Sequence, residues 1–227
     1  MNIVRLTGFA SMCVLSAAVV AYAIVVYGFM PLGAMVDADM RAVLESHRIG
    51  IYAHVFASAI ALALGPLQFF TRLRNRHISL HRWTGRIYLG MGVLIGGLAG
   101  LYMSFHSSGG IVARSGFAFL AIAWLYSGLR AYLAIRAGKV AEHRRWMIRN
   151  FALTFAAVTL RLYLPTSMVA GFDSGIAYQA IAWLCWVPNL VASELLFNRP
   201  HGARTQQLGD EQAIAAVSRS RAAGRQL

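Results

Sequence analysis

Long apolar runs alternate along this chain with short, basic connections. Six runs, at about residues 7–30, 49–70, 83–105, 116–135, 146–168 and 176–197, are almost free of charge. Each is close to the ~20 residues that a helix needs to cross a hydrocarbon core of about 30 Å. None alternates apolar with polar positions, as the shorter strands of a membrane barrel would. The pattern predicts an all-α integral membrane bundle of six transmembrane helices, one domain over residues 1–197, followed by a polar basic tail over 198–227. The first run has signal-peptide features, with Arg5 before it and Ala21-Tyr22-Ala23 resembling a cleavage site. The apolar stretch continues through Ile24 to Met30, so an uncleaved span is expected.

Composition agrees with the pattern. Hydrophobic residues make up 58% and charged residues 13%, against about 25% charged in an ordinary soluble domain. A net charge of +13 would suggest nucleic acid if the basic residues formed one patch. Here they sit between apolar runs, so they report topology and no nucleic-acid partner is expected. One set of connections collects Arg72, Arg74, Arg76, Arg82 and Arg86, then Arg136, Lys139, Arg144, Arg145 and Arg149; the other has only Arg41, Arg48 and Arg114. The positive-inside rule then expects both termini in the cytoplasm, an inner-membrane location, and anionic lipids against the cytoplasmic face. Cys13 and Cys185 both fall inside runs, which argues against a disulfide framework or a thiolate metal site.

Finer periodicities add local expectations. Val36, Met40, Val43, Leu44 and His47 follow helical spacing in the longest outer connection, predicting a short helix on the membrane surface. Gly92, Gly96 and Gly100 repeat every four residues and should form a face that a neighbouring backbone approaches closely, or a groove for a flat cofactor. Trp183, Cys185 and Trp186 are expected to pack, and Asn189 to bond across helices.

Polar residues near or inside the runs carry the candidate chemistry. Leu80-His81-Arg82-Trp83-Thr84-Gly85-Arg86 and Glu142-His143-Arg144-Arg145-Trp146-Met147-Ile148-Arg149 each place a His, a Trp and several Arg before a run. At about 1.5 Å rise per residue, His81 and His106 are separated by roughly 37 Å and belong to opposite membrane faces. The same arithmetic defines an inner layer of His81, His143, Gln68, Glu194 and most arginines, and an outer layer of His54, Arg161, His106 and Gln179. Glu194 is the only acid of the last run, and its depth selects Arg86, Arg130 or Arg149 as partner rather than Arg161. The inner excess of guanidinium expects an anion. Lipid head groups are one candidate, with Trp83 and Trp146 as interfacial aromatics. Haem b is the other, with His81 and His143 as iron ligands and arginines (Arg82, Arg86, Arg144 and Arg149) able to pair with its propionates. A second haem would need His54 plus His106 or His47. Arg161 and His54 lie inside their runs, where charge is costly, so they form a separate candidate site.

The residues His54, Gly65-Pro66-Leu67-Gln68-Phe69, His81-Arg82-Trp83-Thr84-Gly85-Arg86-Ile87-Tyr88 and His143-Arg144-Arg145-Trp146-Met147-Ile148-Arg149 resemble a bacterial family of multi-pass membrane proteins, domain of unknown function 2306, across about residues 50–197. That resemblance implies a membrane bundle and no established activity. A looser resemblance, to two-haem transmembrane cytochromes b, implies haems stacked between histidines of a four-helix bundle, with His81 and His143 matching the inner pair. The chain departs from that pattern in its fourth run, which has no histidine, and in placing His81 just before its run. The functional expectation is therefore a haem-binding electron-transfer module serving a membrane oxidoreductase and its redox partner. The alternatives are a transporter or binding protein for a small anion or lipid, and a scaffold.

Overall fold

The computed structural model describes residues 3–198; the expected basic tail, beyond Asn198, lies outside the described residues. All regular structure among the described residues is helical. Helix α1 (Ile3–Gly28) is followed by the short α2 (Ala38–Ser46), α3 (Arg48–Gln68) and α4 (Thr71–Arg76). The third span joins α5 (Ile78–Ile87), a π-helical segment (Tyr88–Ile95) and α6 (Gly96–Ser104). Helix α7 (Gly110–Arg136) is continuous, whereas α8 (Val140–Thr154) and α9 (Ala156–Val169) form a broken fifth span, and α10 (Ser174–Leu184) and α11 (Val187–Phe197) a broken sixth. Six spans are long and apolar enough to cross a membrane.

The helices reach beyond the apolar runs. The third span opens at Ile78 rather than near 83, and the fifth at Val140 rather than near 146, because hydropathy marks the lipid-covered length and helical hydrogen bonding continues into the interface. His81 and His143 are thus inside their spans, in the same register. The His81 amide bonds the His77 carbonyl at 3.1 Å, and the His143 amide bonds the Lys139 carbonyl at 2.9 Å, each capping carbonyl lying just before the helix.

Two breaks have local causes. Pro188 lies at the start of α11; it has no N–H for the Leu184 carbonyl and its ring crowds that turn, so the helix stops at Leu184. At the other break the Thr154 hydroxyl donates to the Asn150 carbonyl at 2.9 Å, a side-chain bond that bends helices. The Val158 amide then reaches back only to Phe155.

Helix α3 packs against α1 and the third span, α7 against the third span, α8 and α10, and α11 against α8. The expected glycine face is present and turns toward α3. A Cβ on Gly92 would collide with Ala61, one on Gly96 would press on Ser58, and one on Gly100 would strike the His54 ring. The predicted surface helix is α2, whose Asp37 caps it by accepting from the Met40 amide at 2.8 Å and whose Leu44 packs with Ala23, Ile51 and Val55.

At the centre lies a polar knot across three spans. Tyr88 and Asn150 are fully buried. The Tyr88 hydroxyl donates to Asn150 Oδ1 at 2.7 Å and lies 2.9 Å from Thr154 Oγ1. Trp124 Nε1 donates to Thr154 Oγ1 at 2.9 Å. Asn150 Nδ2 donates to the Trp124 carbonyl at 2.8 Å and to Ser127 Oγ at 2.9 Å. Replacing Asn150 by Leu removes three interhelical bonds at once, each worth about 0.6 kcal/mol on average in membranes. Asn150→Leu should therefore melt well below the parent in detergent, whereas Tyr88→Phe, which loses about 0.6 kcal/mol per interhelical bond in membranes, should melt only slightly below it.

Candidate functional site

Polar residues collect in two layers. On the face away from the basic connections, α1, α2, α3, α6, α7, α8, α9 and α10 line a cavity of about 290 Å³. Most of its wall is apolar, from Val19, Ala23, Val55, Leu62, Phe117 and Leu153 among others. His54, Ser58, Arg161, Tyr27 and Tyr178 supply polar groups, and His106 lines it too. His54 Nδ1 is 2.9 Å from the Gly96 carbonyl. A carbonyl only accepts, so Nδ1 carries the proton and Nε2 of the neutral ring is left as an acceptor.

Arg161 is half-buried. It donates to the Ala157 carbonyl of its own helix at 3.0 Å, and its guanidinium sits 5.3 Å from the Tyr22 ring centre. None of the ion pairs among the described residues includes it, and His54 is within its electrostatic reach. His106 is engaged elsewhere. Its ring meets that of His47 at a tilt, with centres 3.8 Å apart, its Nδ1 donates to the Tyr102 carbonyl at 3.0 Å, and the Tyr102 hydroxyl holds His47 Nδ1 at 2.7 Å. The expected outer layer thus brings His54, Arg161 and His106 onto one cavity, while Gln179 does not line it.

The basic layer is already heavily paired. Arg149 grips Glu194 with two bonds, Nε to Oε1 at 2.6 Å and a terminal nitrogen to Oε2 at 2.8 Å, one of the pairings expected from depth. Arg130 pairs with Glu142 at 3.1 Å. The Trp146 ring lies between the guanidiniums of Arg130 at 4.9 Å and Arg149 at 4.4 Å, and Arg86 lies over Trp83. Arg82, Arg144 and Arg145 are exposed. His143 Nδ1 donates to the Ala131 carbonyl at 2.9 Å, which fixes its tautomer, whereas His81 Nδ1 is buried without a hydrogen-bond partner among the described residues. The two rings are within electrostatic reach of one another. Neither lines the cavity above, nor the groove of about 320 Å³ between Trp146, Arg149, Leu190 and Glu194. No cluster of three His, Cys, Asp or Glu suited to a metal ion occurs among the described residues.

Residues 51–197 match the family model described as a predicted membrane protein, DUF2306. The chain belongs to the DUF2306 family. No curated protein and no solved structure matches it, so the looser cytochrome likeness gains no support. The DUF2306 region holds both histidine layers, the polar knot and Arg161, whereas Tyr22 and Tyr27 precede it.

Sequence reasoning missed Tyr27, Tyr178, Thr154 and Trp124 as cavity residues. Asn150 was legible by the signal that marked Asn189, an amide within an apolar run; Asn189 does cross helices, donating to Thr159 Oγ1 at 2.9 Å. The Arg149–Glu194 pair spans α8 and α11 at the edge of the bilayer. A double-mutant cycle with Arg149→Gln and Glu194→Gln should give a coupling of about 1 kcal/mol, typical of well-formed, partly exposed bidentate pairs.

Proposed function

We propose that this membrane protein is a transporter or binding protein for a small amphipathic anion, held in the far-face cavity with its charged end on Arg161. The observation that carries this reading is Arg161 itself, a guanidinium on the wall of an apolar cavity whose partners among the described residues are a carbonyl of its own helix and an aromatic face. A cation within a span costs about 2.5–3.5 kcal/mol on insertion scales. An anion bound beside it offsets that cost, and the bidentate guanidinium suits a carboxylate. The volume falls at the lower edge of the ~300–1,000 Å³ usual for small-molecule sites, which favours a compact ligand over a diacyl lipid. In purified full-length protein, octanoate at saturating concentration should raise the melting temperature by several °C (roughly 3 kcal/mol at a hundredfold excess over Kd). Arg161→Leu should abolish the rise while folding normally; an equal rise in that variant would sink the reading.

A second reading is favoured by the histidines of the basic layer. His143, with Nδ1 on the Ala131 carbonyl, has the tautomer that frees Nε2 for a metal, and His81 has a buried nitrogen without a partner among the described residues. His81 and His143 would hold the iron of one b-type haem, with Arg82 and Arg144 available to its propionates. Such a group supplies one-electron transfer when bound. They suit a second haem poorly: the far cavity is small for a macrocycle, and His106 is packed against His47. Protein expressed with added haem should show a Soret band that shifts on reduction, and His143→Ala should lose it without loss of fold. A colourless protein ends the haem reading and leaves the anion reading untouched.

A further inference from the structure

We infer, on the footing of the anion reading above, that the cavity's ligand is a planar hydroxylated aromatic acid, its carboxylate on Arg161 and its ring hydroxyl donating to His54. Three features of the cavity select that class. The first is a complementary pair of polar groups. Arg161 offers only donors. His54 offers the opposite, because the Gly96 carbonyl at 2.9 Å fixes the proton on Nδ1 and leaves Nε2 as an acceptor. A ligand that satisfies both must bring an anionic or accepting group and, separately, an O–H or N–H. A simple fatty acid brings the first alone.

The second feature is the aromatic part of the lining. Trp124 and Phe117 of α7 are residues of the cavity wall. Gly96, Gly97 and Gly100 also line it, with their Cβ positions covered by Ser58, Leu125 and the His54 ring. Aromatic wall residues suit an aromatic ring, which stacks or meets edge to face with such partners. The third is size. A cavity of about 290 Å³ takes one ring with a short acidic arm.

The test uses the full-length protein in detergent, with binding followed by calorimetry and by tryptophan fluorescence, for which Trp124 is a wall residue. The probes are para-hydroxycinnamate, cinnamate, para-methoxycinnamate and octanoate. The hydroxylated acid should bind about tenfold more tightly than cinnamate or its methoxy ether, the worth of one well-placed hydrogen bond. His54→Phe should erase that preference while cinnamate still binds. His54→Gln, which restores an acceptor oxygen, should recover part of it, and its melting curve controls for folding. Arg161→Leu should lose all four acids. Equal binding of the three aromatic acids, or a preference that survives His54→Phe, overturns the inference. Octanoate binding that depends on Arg161 without binding of para-hydroxycinnamate also overturns it and leaves the anion reading standing. Failure of all four acids to bind overturns both.

Discussion

The fold depends on one interaction, the hydrogen-bonded knot of Tyr88, Asn150, Thr154, Trp124 and Ser127. Lipid tails are as apolar as leucine, so burying hydrocarbon does little to choose one helix partner over another in a bilayer. Close packing and directional bonds must choose instead. The Asn150 amide bonds two groups of α7 and receives the Tyr88 hydroxyl, which fixes the third, fourth and fifth spans in register. Its other end, Thr154 and Trp124, forms part of the cavity wall. The same bonds that hold the spans together therefore fix the shape of the site.

The knot also accounts for the irregular helices around it. Thr154 bonds back to the Asn150 carbonyl, and the fifth span breaks directly after it. The third span is π-helical from Tyr88, the residue whose hydroxyl enters the knot. Local π turns are often found at functional sites, and here one runs into the glycine wall of the cavity.

Hydropathy made the spans legible because bilayer thickness imposes a length that any apolar run must meet. Depth was legible for the same reason: helical rise converts residue number into height, so Glu194 could be given Arg149 among its candidates, and His54 could be placed with Arg161. Rotation about each helix axis was not legible. It decides that Thr154 and Trp124 face the cavity, that His106 meets His47, and that Glu142 turns to Arg130. Nor could run-length reading find the helix starts at Ile78 and Val140, since arginine and histidine continue a helix through the interface once it has begun. The breaks had a visible cause in Pro188 but none in Thr154, whose effect depends on its hydroxyl facing its own helix.

Helix α1 gives this architecture an uneven division of labour. The match to the family begins at residue 51, yet Val19, Val20, Ala23 and Tyr27 of α1 and Leu44 of α2 complete the cavity wall. Part of the chamber wall is thus written in a stretch of the chain that takes no part in the knot. A change at Val19 or Ala23 reshapes the chamber without touching Asn150 or Tyr88. The first span thus closes one side of the cavity while taking no part in the hydrogen bonds that set the register of the third, fourth and fifth spans.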